Sequence, residues 1–154
     1  MKPLFGWVGE GVTLQAHNGE WWIGTGNGLY RFRAAAELPV LAHPLKVYTT
    51  SDGLAAPQVY RLFEDSRGDI WVSSTSTVNG LARWNHATQT IQDLSGTIGL
   101  PSLKDNLPRD FDEDRAGDIW VGFSSGVARF RQGSFSVFAA EQGSQDQSQF
   151  QEMA

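Results

Sequence analysis

Four carboxylates crowd into five positions, at Asp110, Asp112, Glu113 and Asp114. Acids at that density could divide the work of general acid and general base. The segment reads as a strand running into a turn, where neighbouring side chains point to opposite faces, so a solvated edge is the expected state. Two acidic turns, Asp65-Ser-Arg-Gly-Asp69 and Asp114-Arg-Ala-Gly-Asp118, share the acidity of calcium loops. Calcium needs about six to eight converging oxygen ligands, and each turn offers one or two. A third copy carries Ala16 where the others have Asp65 and Asp114. These are read as structural turns. His17, His43 and His86 are scattered, without metal-ligand spacing. No nucleophile elbow, Ser-His-Asp arrangement or Gly-rich phosphate loop can be assembled. The chain therefore reads as non-enzymatic, with no catalytic residue, metal site or cofactor.

The elements that carry these residues repeat. Gly19-Glu-Trp-Trp-Ile23, Gly68-Asp-Ile-Trp-Val72 and Gly117-Asp-Ile-Trp-Val121 place Trp22, Trp71 and Trp120 at intervals of 49. A second apolar run follows each block: Gly28-Leu-Tyr-Arg-Phe32, Gly80-Leu-Ala-Arg-Trp84 and Gly126-Val-Ala-Arg-Phe130. Between Gly68 and Gly80 lie 12 steps, against 9 in the other two copies, so Ser74 to Asn79 holds a three-residue insertion. A period of 40–50 residues signals a repeat architecture.

Composition agrees. Of 154 residues, 40% are hydrophobic, 17 are Gly and 6 are Trp, which suits strands and turns packed by aromatics. The formal net charge of -5, with no basic stripe, argues against nucleic acid as a partner. The lack of Cys removes disulfide and thiol chemistry and assigns no compartment. No run approaches 18 apolar residues, and no export signal is recognisable, so the chain reads as soluble without a membrane segment.

Each copy resolves into four short strands. In the second, Gln58 to Glu64, Asp69 to Ser73, Leu81 to Trp84 and the more polar Thr90 to Leu94 are expected as strands. The Ile-Trp-Val runs do not alternate with polar residues, which requires cover on both faces. Sheets stacked radially give that cover, so the expected fold is all-β: a partial β-propeller of about three blades of four-stranded antiparallel sheet. The blades are placed at about 12–48, 58–94 and 107–138 within a propeller region 1–138. A polar, Gln-rich tail at 139–154 is expected to be frayed. A β-sandwich would not need the block at a fixed interval, and the paired glycine of kelch repeats is missing.

Gly19, Gly68 and Gly117, the three tryptophans, and Arg31, Arg83 and Arg129 are read as structural. Glu20 with Arg31, Asp69 with Arg83, and Asp118 with Arg129 would face each other across a hairpin, as ion pairs worth about 0.2–1 kcal/mol each. A ring of arginines reading an anionic ligand is the functional alternative. Binding is expected instead on rim loops, at Thr25, Asn27, Thr75, Thr77, Asn79, Ser124 and Ser125.

These residues resemble a family. Asp52-Gly-Leu54, Val59, Glu64-Asp65, Gly68 to Val72 and Gly80 to Trp84 look like the two-component regulator propeller repeat. The pattern returns at Glu113-Asp114, Gly117 to Val121, Gly126 to Phe130 and Phe135 to Phe138, and Gly19 to Phe32 fits it too. The resemblance implies a sensor-domain propeller of bacterial membrane histidine kinases, sensing a small-molecule or carbohydrate-type ligand in a periplasmic or other extracytoplasmic setting. Kinase activity would lie in domains absent from this chain. Three blades would leave uncovered faces, so further blades or self-association are expected. A lyase or glycan-active propeller fragment and a structural interaction module are the alternative functions.

Overall fold

The computed structural model describes residues 13–34 and 43–139. The tail expected to fray lies outside the described residues from 140 onward. Twelve strands are present among the described residues, in three separate antiparallel sheets. The first holds β1 (Thr13–Gln15), β2 (Trp21–Thr25), β3 (Gly28–Phe32) and β4 (Lys46–Tyr48). The second holds β5 (Gln58–Glu64), β6 (Ile70–Thr75), β7 (Asn79–Asn85) and β8 (Thr90–Asp93). The third holds β9 (Asp110–Glu113), β10 (Ile119–Phe123), β11 (Gly126–Arg131) and β12 (Ser134–Ala139). Each sheet is ordered as its strands follow in the chain. The first strands of successive sheets, β1, β5 and β9, approach one another in turn, which is the inner-strand arrangement of propeller blades. The only helical element among the described residues is a 3₁₀ turn at Thr50–Asp52, capped by the Thr49 side chain.

The central strands show why the Ile-Trp-Val runs do not alternate. Ile70, Trp71 and Val72 are all 0% exposed. Ile70 and Val72 face the first sheet, in a core with Trp22, Leu29 and Tyr48. Trp71 faces the third sheet, in a core with Ile119, Val121 and Phe135. One strand thus feeds two cores, and both faces are apolar because both are desolvated. Burying a large aromatic contributes about 3–5 kcal/mol, judged from truncation of such side chains to Ala.

The turns repeat with little variation. Gly19, Gly68 and Gly117 have φ of 87°, 85° and 84°, a left-handed conformation that glycine adopts without steric cost. The insertion in the second copy also has a simple form. Ser74 pairs with Gly80 as Thr25 pairs with Gly28, then one further rung, Thr75 with Asn79, carries a loop at 76–78. Gly80 is required for a different reason: a Cβ there would lie 2.2 Å from that of Ala55, in the connector between the first two sheets.

Candidate functional site

The β2–β3, β6–β7 and β10–β11 hairpins emerge at the same end as the connectors that join one sheet to the next, because strand direction alternates within each blade. Hydrogen bonds fasten hairpins to connectors: Gly28 N–H donates to Pro57 O at 2.8 Å, and Asn79 Nδ2 donates to Leu103 O at 2.8 Å. Ser125 Oγ donates to Asn106 Oδ1 at 3.3 Å, so the second and third hairpins both hold the 94–109 connector.

The seven rim residues divide accordingly. Thr25 is buried, its hydroxyl donating to Gly28 O at 2.9 Å and accepting from Asn27 N–H at 3.0 Å. Thr75 Oγ1 donates to Asn79 Oδ1 at 2.8 Å. Thr25, Thr75 and Asn79 therefore have side chains engaged in shaping the loops, and Ser125 has its hydroxyl on the connector. Asn27, Thr77, Ser124 and Ser125 are exposed, and Val78 beside Thr77 is 61% exposed. The connector that ties two of the hairpins together was not singled out from sequence. Its only signal is length, with no repeated motif.

At the opposite end, the β1–β2, β5–β6 and β9–β10 turns form a second ring of polar contacts. In the second blade Asp65 Oδ1 accepts from Arg67 N–H and Asp69 N–H at 2.9 and 3.0 Å, while Oδ2 accepts from the Trp71 indole at 3.0 Å. Asp114 repeats this with Ala116, Asp118 and Trp120, at 2.9, 3.0 and 2.9 Å. Burial works against the Asp114 charge, but the indole and amide donors outweigh it and hold its carboxyl below the ordinary range. Each acid belongs to its own blade.

The preceding glutamate joins blades. Glu64 Oε1 accepts from His17 N–H at 2.8 Å, and Glu113 Oε1 accepts from Ser66 N–H at 2.7 Å. Each blade thereby grips the turn of the blade before it. Arg67 completes the second junction by donating from both terminal nitrogens to Gly117 O at 3.2 Å. Repetition of Glu-Asp at Glu64 and Glu113 was the available sequence signal for this role.

Of the three expected acid–arginine pairs, one forms. Arg31 makes a two-pronged pair with Glu20, at 2.8 Å from Nε and 2.9 Å from Nη2. Burial disfavours the Arg31 charge, yet the Glu20 hydrogen bond raises its pKa further above the ordinary value. The other two pairings are corrected by the structure. Asp69 accepts from His86 N–H at 2.8 Å, and Asp118 pairs with Arg131 at 2.6 Å. Arg83 and Arg129 lie over aromatic rings instead, with no hydrogen-bond partner for either Nε among the described residues. Two causes combine. Each arginine stands directly opposite its tryptophan across the hairpin, which lays the guanidinium on the indole. Aspartate is also one methylene shorter than glutamate and finds nearer donors.

Two of the three arginines thus act between sheets. Arg31 Cζ lies 5.4 Å from the Trp22 ring and 4.8 Å from Trp84 of the next blade. Arg83 lies 5.4 Å from Trp71 and 5.3 Å from Phe130 of the next blade. Arg129 lies 5.7 Å from Trp120 and 5.9 Å from Phe138 of its own blade. A cation sandwiched by rings gains about 0.5–2 kcal/mol.

Two matching grooves open where these turns meet. The first, a cavity of ≈ 230 Å³, is lined by residues including Ala16, Asn18, Glu20, Trp22, Glu64 and Arg67. The second, of ≈ 240 Å³, is lined by Asp65, Trp71, Arg83, Asp118 and Arg131. Both mix acids with bases. No group of three or more His, Cys, Asp or Glu among the described residues is arranged to hold a metal ion. Asp110, Asp112 and Glu113 lie on β9, and Asp110 and Asp112 are exposed. Asp114 is committed to its turn.

Residues 53–76, from Gly53 through β5 and β6, match the family described as the two component regulator propeller. No curated protein matches the chain. The structure is similar to the extracellular domain of a one component system from B. thetaiotaomicron, with a TM-score of 0.60 and 20% identity over 82% of this chain and 18% of that one. It is also similar to the extracellular domain of a hybrid two component system from the same organism, with a TM-score of 0.58 and 23% identity over 78% of this chain and 15% of that one. A protein described as a gluconolactonase gives a TM-score of 0.52 at 10% identity, over 82% of this chain and 47% of that one. Likeness at these identities is a likeness of fold. The chain spans less than a fifth of the length of the two B. thetaiotaomicron domains. It is a three-blade section of β-propeller whose second blade and the stretch before it hold the match to the two component regulator propeller family.

Proposed function

We propose that this section belongs to the ligand-sensing propeller of a bacterial two-component signalling sensor and is itself non-catalytic. The observation that carries the reading is the family match at residues 53–76, on a blade whose two neighbours repeat its hairpin register with Trp opposite Arg. The fold shared with extracellular domains of such systems supports an extracytoplasmic setting, with the kinase in another part of the signalling protein. No helix among the described residues is long and apolar enough to cross a membrane.

The ligand end is the rim where Asn27, Thr77, Ser124 and Ser125 are exposed around the anchored connector. Neutral hydroxyls and amides suit a carbohydrate-type molecule, whose hydroxyls need donors and acceptors rather than a fixed charge. The other partners are further blades, or a second copy, stacked by the same turn contacts. Titration calorimetry of the chain against neutral oligosaccharides tests the rim. Saturable heat that Thr77→Ala and Ser124→Ala weaken supports it; heat unchanged in both variants, or none across the panel, overturns it. Sedimentation equilibrium tests the stacking, and a monomer throughout the micromolar range would count against it.

A further inference from the structure

The three turns at the groove end share one backbone pattern, and one of their side-chain differences removes a carboxylate: Ala16 stands where the others have Asp65 and Asp114. Ala16 N–H donates to Glu20 O and Gly19 N–H to Ala16 O, both at 2.8 Å; the Asp65 and Asp114 turns make the same two bonds at 3.0 Å. In those turns a carboxylate fills the angle between the backbone and the indole, where three N–H groups converge on it. In the first blade the residue there is Ala16, whose methyl reaches none of them.

The donors around Ala16 are largely retained. Trp22 occupies the same register position as Trp71 and Trp120, directly opposite its arginine. It is 1% exposed, yet its indole nitrogen is not one of the enclosed atoms left without a partner, and Trp22 lines the first groove, so the N–H opens on that groove. Asn18 N–H is the counterpart of Arg67 N–H and Ala116 N–H. The third donor, Glu20 N–H, is met locally by Asn18 Oδ1 at 3.0 Å. Ala16 and Trp22 both line the first groove, so the angle between them is open to a small solute. An anion's oxygen entering the groove would replace solvent at the Trp22 donor with a charged acceptor, which makes the stronger hydrogen bond.

We infer that the groove beside Ala16 binds a small carboxylate anion, which takes the position that the Asp65 and Asp114 side chains hold in the other two turns. One carboxylate oxygen accepts from Trp22 Nε1 and the other from Asn18 N–H. Two acids border the groove, and both are engaged. Glu20 is paired with Arg31, and Glu64 accepts from His17 N–H with the imidazole Nδ1 3.4 Å away. Arg67 lines the same groove and adds positive charge to it. The site stands apart from the rim, so neither proposal depends on the other.

Acetate is the probe. In ¹H–¹⁵N spectra of the chain, with the indole signal of Trp22 assigned from Trp22→Phe, sodium acetate should move that signal downfield and saturably. Sodium chloride at equal ionic strength should not, and the indole signals of Trp71 and Trp120 should stay in place. Ala16→Asp should show the downfield position without acetate and lose the response. Ala16→Val, which fills the angle without an acceptor, should lose the response and keep the upfield position. A Trp22 signal indifferent to acetate in the unmodified chain overturns the inference. So does an acetate response that survives undiminished in Ala16→Val, whether or not Ala16→Asp folds.

Discussion

The two junctions between blades are built on one plan and secured differently. At the junction of the second and third sheets, Trp71 is held by Asp65 on its own turn, and Arg83 lies between rings with no carboxylate. At the junction of the first and second, Trp22 has no such acid, while Arg31 lies between rings and also binds Glu20 through two hydrogen bonds. In both, a glutamate from the later blade takes a backbone N–H from the turn of the earlier one. The apolar stack and the cation over the indole are common to both. The polar fixtures around them differ in what they meet: an aspartate takes the indole in the second junction, and a glutamate takes the guanidinium in the first.

Substitution can break this comparison, and the greatest effect is expected at its common part. Trp71→Ala empties the second core and should cost about 3–5 kcal/mol in denaturant unfolding. A loss under 1 kcal/mol would mean that the sheets do not depend on their tryptophans. Next is Asp65→Ala, which makes the second turn resemble the first. Three donors, two of them buried, lose a charged acceptor, and the expected cost is about 2–3 kcal/mol. If the second junction tolerates alanine as the first does, with no measurable loss, the acid is dispensable and the contrast disappears. Ala16→Asp reverses the exchange and should raise stability by about 1 kcal/mol, since one of its three donors is already met by Asn18. Smallest is the coupling between Glu20 and Arg31, about 0.5–1 kcal/mol in a double-mutant cycle, against none between Asp69 and Arg83. Equal coupling at both pairs would contradict the geometry described for Arg83.

The acid on the third turn adds a pH test. The folded state holds the Asp114 carboxyl below its ordinary value of 3.8, mainly through the Trp120 indole once burial has been overcome. A depressed carboxyl contributes stability that is complete above the unfolded value and is lost as pH falls through the folded one. Stability of the chain should therefore drop below about pH 4, and Asp114→Asn should flatten part of that fall. An acid limb of unchanged slope in the variant would remove Asp114 from the account.

Much of the fold was legible because it rests on spacing. Tryptophans at equal intervals, unalternated Ile-Trp-Val runs and Gly-acid turns are local patterns, and local patterns survive in a linear chain. The rim was legible only in outline. Thr25 and Asn79 look as available as Asn27 and Thr77 in sequence, but hairpin closure gives Thr25 to Gly28 and the long connector gives Asn79 to Leu103. Glu64 and Glu113 carried a repeat signal whose meaning depended on a turn 47 residues away.

Sequence by itself determined that one hairpin unit is used three times, that its central strand must be covered on both sides, and where its turns fall. Those properties follow from periodicity and from the conformational limits of individual residues. Only the tertiary structure decided what each charge does. Arg83 and Asp69 stand in one hairpin, yet the guanidinium goes to two aromatic rings and the carboxylate to the backbone of His86. A charged side chain in a desolvated junction takes the nearest group that compensates it; for Arg83 one of those groups, Phe130, is brought near by packing between sheets, which no single repeat encodes.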